Sequence, residues 1–154
     1  MSYEIGQKVG KLILIVFFII VLVLLDLKNK KRFPLIILFV LGWFLYVIPM
    51  ELRPFFRENH LVLFWFGIIP NYGCAFALPI IGLKKKSITY NEARYILLKS
   101  SIISFSVIIL YELVESIKGF GTFDWLDIFM SILGTLTINI IFNLWGSRFR
   151  PIFS

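Results

Sequence analysis

The sequence predicts an all-α protein, a polytopic bundle of five transmembrane helices forming a single membrane domain over residues 1–154. Three observations carry that prediction. Hydrophobic residues make up 59% of the chain and aromatic residues 18%, against roughly 45–50% apolar usage in soluble domains. Mean hydropathy is +0.90. The apolar residues are gathered into five long runs separated by short polar connectors, with none of the sustained period-two alternation that a transmembrane β-barrel requires. A soluble core of this size cannot hide so much apolar surface, and helices satisfy their own backbone polar groups in lipid.

The first span, about 9–27, contains an unbroken apolar stretch from Leu12 to Leu25 and reaches full length if Lys11 snorkels. Asp26-Leu27-Lys28-Asn29-Lys30 offers no small-residue cleavage pattern and the positive cluster follows the run, so it reads as an uncleaved helix. The second span, 33–50, opens with Pro34 in its first turn and ends near Pro49. A polar connector, 51–60, leads to the third span, 61–83. Pro70-Asn71-Tyr72-Gly73 and then Pro79 are expected to break that helix. After Lys84-Lys85-Lys86, Thr89 or Asn91 suits the cap of the fourth span, 95–117. The fifth, 123–145, follows the turn Lys118-Gly119-Phe120-Gly121-Thr122.

Charge distribution sets the expected orientation. The chain carries 16 basic and 9 acidic residues, a formal charge of +7. Eleven of the 16 basic residues fall in the connectors on one side: Lys28, Lys30, Lys31, Arg32, Lys84, Lys85, Lys86, Arg94, Lys99, Arg148 and Arg150. Basic-rich short loops stay in the cytoplasm, so the N-terminus is expected outside and the C-terminus inside. Clusters of this kind contact anionic membrane lipids and set topology; no nucleic-acid partner is expected. The single cysteine, Cys74, allows no intrachain disulfide and reads as a buried, inert thiol.

The chemistry gathers at the other side. At three- and four-residue steps Ser101, Ser104, Ile108, Glu112 and Glu115 share one face of the fourth helix, and Asp124, Asp127, Ser131, Gly134 and Thr135 share one face of the fifth. A short connection makes these helices antiparallel neighbours, with Gly134 and the small hydroxyl residues allowing close approach. Glu112 lies more than a turn deep and is expected to face the interior, since a lipid-facing carboxylate is costly. Four carboxylates cannot all stay ionised together without a compensating cation. Arg53, Arg57 and Lys118 are candidates. No cofactor is required, but an oxygen-only cluster would suit a hard divalent cation such as Mg²⁺ or Ca²⁺. His60, the only histidine, enters the third span on the same side. The cluster has a plainer reading as ion pairs holding loops to helix ends, and Asp124 and Asp127 also suit the positive end of a helix dipole. Signatures of soluble enzymes, among them phosphate loops, nucleophile elbows and zinc-ligand spacings, are absent from the sequence.

Leu52-Arg53-Pro54-Phe55, then Asn59-His60-Leu61-Val62-Leu63-Phe64 entering a Pro/Gly-containing helix, Glu112-Leu113-Val114-Glu115, and Gly121-Thr122-Phe123-Asp124-Trp125-Leu126-Asp127 ahead of Gly134 together resemble the VanZ-like membrane proteins. The resemblance spans about 53–144. The chain departs from the family pattern in having Glu115 for a Gln, Thr122 or a neighbour for an Arg, and Ser131 for an Asn. The resemblance implies a multi-pass protein of the bacterial inner membrane with an extracytoplasmic polar pocket. Glu112, Asp124 and Asp127 would form it, with Glu115, Arg53 and Arg57 as charge partners and Ser131 and His60 beside them. Its ligand would be a cell-envelope or lipid-linked molecule, and its role envelope or glycopeptide tolerance. Two other classes stay open. One is a small ion or solute transporter, for which five spans would call for an oligomer; the other is an accessory subunit docked on a membrane partner. Carboxylates can also serve as acid and base, but nothing in the sequence fixes a reaction.

Overall fold

The computed structural model describes residues 15–21, 33–84, 89–117 and 124–145, and helices account for nearly all of them. Residues 15–21 form a helical segment, α1, within the expected first span; the rest of that span lies outside the described residues. The longer helices are α2 (Phe33–Leu52), α3 (His60–Ala77), α4 (Tyr90–Ile117) and α5 (Trp125–Leu144). A 3-10 turn, Arg53–Phe56, follows α2, and a 3-10 segment, Leu78–Lys84, follows α3. Four of these helical stretches are long and apolar enough to cross a membrane. Their outer faces are as apolar as their cores: Ile37, Leu41, Phe44, Ile102, Leu110, Phe129 and Leu136 are all exposed, as expected of helices solvated by lipid.

Helix α3 sits at the centre, packed on one side by α2 and on the other by α5. Glycines make both contacts possible. A Cβ on Gly73 would lie 2.6 Å from the Tyr46 backbone nitrogen and 2.7 Å from the Gly42 carbonyl oxygen, so the α2 and α3 backbones touch there. Gly42 reciprocates, with the Phe76 ring 2.8 Å and the Ala77 methyl 2.9 Å from where its Cβ would stand. On the other flank a Cβ on Gly134 would strike the Tyr72 carbonyl oxygen and approach the Phe76 nitrogen at 3.1 Å. Gly134 therefore brings α5 against α3, and not against α4 as the hairpin suggests. Consecutive spans alternate in direction, so α3 and α5 run parallel, and only a parallel pair meets at both Asn71–Asp127 and Tyr72/Phe76–Gly134.

The expected break at Pro70–Gly73 does not occur. Helix α3 runs through Pro70 to Ala77, and the change to 3-10 geometry comes at Leu78, one residue before Pro79. Pro70 removes one N–H from the ladder, yet it is buried within a helix packed on both flanks, and the α-helical geometry continues past it. Pro49 likewise lies inside α2 rather than at its end. Helix α4 begins five residues before the expected 95, because Thr89 and Glu92 form a reciprocal capping box. The Thr89 N–H donates to Glu92 Oε2 at 2.7 Å, and the Glu92 N–H donates to Thr89 Oγ1 at 3.3 Å.

The main core cluster joins Leu35, Leu38, Phe39, Phe76, Ile80, Leu97, Ile138 and Phe142. Trp43 gathers Phe18 and Phe17 of α1 around it, at ring separations of 5.3 and 5.6 Å. At the opposite edge Tyr90 stacks on Phe142 at 5.5 Å and donates its hydroxyl to the Phe142 carbonyl at 3.0 Å, which pins the start of α4 to the end of α5.

Candidate functional site

The polar stripes read from helical periodicity are the inward faces of α4 and α5. Ser101, Ser104, Ile108 and Glu112 are all buried along α4. Along α5, Ser131 and Gly134 are buried while Asp127 and Thr135 are half-buried. Glu112, only 8% exposed, is the one buried carboxylate of the described residues. The Glu115 side chain, Lys118 and Thr122 lie outside the described residues.

Asp124 and Asp127 take different positions despite their spacing. Asp124 is exposed, and its Oδ1 accepts the Leu126 N–H at 2.8 Å as the N-cap of α5. Its side chain thereby satisfies a donor that the first turn leaves open. Asp127 points inward one turn later. Its carboxylate lies within interaction reach of the Asn71 carboxamide of α3, of Asp124 and of Arg53, just past α2. Three segments distant in sequence thus converge on one carboxylate. Arg57 and His60 are exposed, the first at the C-cap of the 3-10 turn and the second at the first position of α3. The α3 start is capped by Asn59, whose Oδ1 accepts the Val62 N–H at 3.1 Å.

Below Asp127 the polar line continues along α5. Ser131, fully buried, donates its hydroxyl to the Asp127 carbonyl at 2.8 Å. Two turns further on, Asn139 donates through Nδ2 to Ser101 Oγ and to the Thr135 carbonyl, both at 2.8 Å, bridging α5 to α4. Between these, Thr135 Oγ1 is buried with no hydrogen-bond partner. Unpaired buried hydroxyls are rare and costly, so this atom marks where the line has unused polar capacity.

Two members of this arrangement escape a reading based on carboxylates and periodic acids. Asn71 stands inside an apolar run, and a polar side chain at membrane depth is itself a functional signal; its place beside Pro70 makes it look like part of a helix break instead. Asn139 continues the Asp127–Ser131–Thr135 arc at the next four-residue step. Among the described residues no group of three or more His, Cys, Asp or Glu side chains is placed to hold a metal ion. No family model, curated protein or solved structure matches the chain.

Proposed function

We propose that this chain is an integral membrane protein, similar to the VanZ-like proteins, that binds the polar head of a lipid-linked or cell-envelope ligand at the Asp127 end of the bundle. The observation that carries this reading is the half-buried Asp127 carboxylate, within reach of the Asn71 carboxamide of α3 and of the charge of Arg53. Glu112, toward the α5-proximal end of α4, supplies a second, buried acid. Placing carboxylates in a membrane helix is costly, and a carboxylate beside a guanidinium and a carboxamide presents an acceptor, a cation and an amide donor together. That combination suits a headgroup bearing both ammonium or hydroxyl donors and anionic oxygens. The excess of basic residues in the connectors at the other end supports placing this end on the extracytoplasmic face, where such ligands are met. Glu112→Gln and Asp127→Asn, made separately, are expected to abolish chain-dependent protection of cells against a glycopeptide antibiotic while membrane abundance stays at the wild-type level. Abundance falling in parallel with protection would assign the acids to structure instead.

A second reading has one observation in its favour. The polar line from Asp127 past Thr135 to Asn139, with Thr135 Oγ1 unpartnered, is the kind of interior that an ion or small solute crosses. Flux into proteoliposomes that falls in Thr135→Val would support it; absence of flux for protons and divalent cations would exclude those ions as cargo.

A further inference from the structure

A cleft of about 400 Å³ opens between the start of α4 and the end of α5, at the end of the bundle away from Asp127. Its polar wall carries Arg94, Asn91, Asn139 and Asn143, with Tyr95 at the mouth. Leu98 and Phe142 form an apolar side. Among the described residues no carboxylate lines it. We infer that this cleft binds the phosphate of an anionic phospholipid headgroup, a site independent of the function proposed for the acidic end.

Depth comes first. Helix α4 has 28 residues, about 42 Å at 1.5 Å per residue, and so outreaches a hydrocarbon layer about 30 Å thick. Arg94 and Glu112 are separated by about 27 Å along its axis, so the two fit at opposite boundaries of that layer. In that register Arg94 stands at the level of the lipid phosphates. Its guanidinium presents a planar fork of donors matched to phosphate oxygens, and the carboxamides of Asn91 and Asn143 add further donors from α4 and α5. Asn139 is committed through both amide hydrogens to Ser101 and Thr135, leaving its Oδ1 as an acceptor for a headgroup hydroxyl.

The apolar side distinguishes a lipid from a free phosphate. Tyr95, Leu98 and Ile102 recur at three- and four-residue steps on the outer face of α4, and they are 69%, 52% and 60% exposed. They form a track running from the cleft toward the membrane interior, along which acyl chains can lie. The walls are also anchored, since Tyr90 ties α4 to Phe142 by ring stacking and a hydrogen bond, so little ordering remains to oppose binding.

The test uses the full chain in mild detergent, titrated with short-chain phosphatidylglycerol or phosphatidylcholine and read by native mass spectrometry. Wild type is expected to bind phosphatidylglycerol more tightly, and neither inorganic phosphate nor glycerol 3-phosphate should displace it. Arg94→Gln should weaken phosphatidylglycerol binding about tenfold or more, as for a lost hydrogen bond to a charged group. Lys99→Gln removes the same charge from the same helix outside the cleft, and should weaken it by at most about fivefold, the effect of one surface charge. Asn143→Leu keeps the net charge and should also weaken binding, which covers the case in which Arg94→Gln does not accumulate. Equal losses in Arg94→Gln and Lys99→Gln, unchanged binding in Asn143→Leu, or no preference over phosphatidylcholine would overturn the proposal. Displacement by glycerol 3-phosphate would reassign the cleft to a soluble phosphate ester.

Discussion

Asp124 and Asp127 show how three positions along one helix change what a carboxylate does. The first caps α5 by accepting the Leu126 N–H; the second turns inward to Asn71. Asp124→Ala is expected to cost about 1 kcal/mol, whereas Asp124→Asn, an equally good cap, should leave stability near wild type. Thermal unfolding of the two purified variants checks this, and equal losses would contradict the capping role. The Asn71–Asp127 pair calls for a double-mutant cycle. Asn71→Leu combined with Asp127→Leu should reveal a coupling of roughly 0.5–2 kcal/mol, the range for hydrogen bonds between membrane helices. At this scale the sequence is legible where periodicity governs: the inward faces of Glu112 and Ser131 follow from three- and four-residue steps alone. Asn71 is not legible in that way, because its partner lies on a helix distant in sequence, and only packing brings the two together.

Helix packing rests on glycines that act through their neighbours. Gly73→Ala and Gly134→Ala would drive a methyl group into backbone atoms of α2 and α3 respectively, and each is expected to cost about 1–3 kcal/mol as an overpacked contact. Gly67 provides the contrast, since a Cβ there meets nothing within 4 Å. Gly67→Ala should be neutral or stabilising by up to about 1 kcal/mol, the difference in helix propensity. Unfolding of the three variants in one detergent measures the contrast, and a Gly73→Ala protein as stable as Gly67→Ala would contradict the close approach. Element identities and most ends are readable from apolar runs and from caps such as Thr89 and Asn59. Pro70 and Gly73 misdirect such a reading because each is locally a helix breaker, whereas in the fold Gly73 supplies the contact that stabilises the helix around them.

Across the whole molecule the two ends of the bundle are chemically unlike. One brings Asn71 and Arg53 within reach of Asp127; the other opens the Arg94 cleft between helices locked by Tyr90 and Phe142. Composition and the apolar runs are enough to read a helical membrane protein, and the same runs mark the four long helices that the structure contains. The central position of α3 is not readable from them, since apolar faces in lipid carry little information about which helix each one meets. The most direct test is binding of a lipid-linked cell-wall precursor to the purified full chain, compared between wild type and Asp127→Asn. Retention by wild type, weakened about tenfold or more in the variant at an unchanged melting temperature, is the predicted result. Equal retention by both proteins, or by neither, would contradict it.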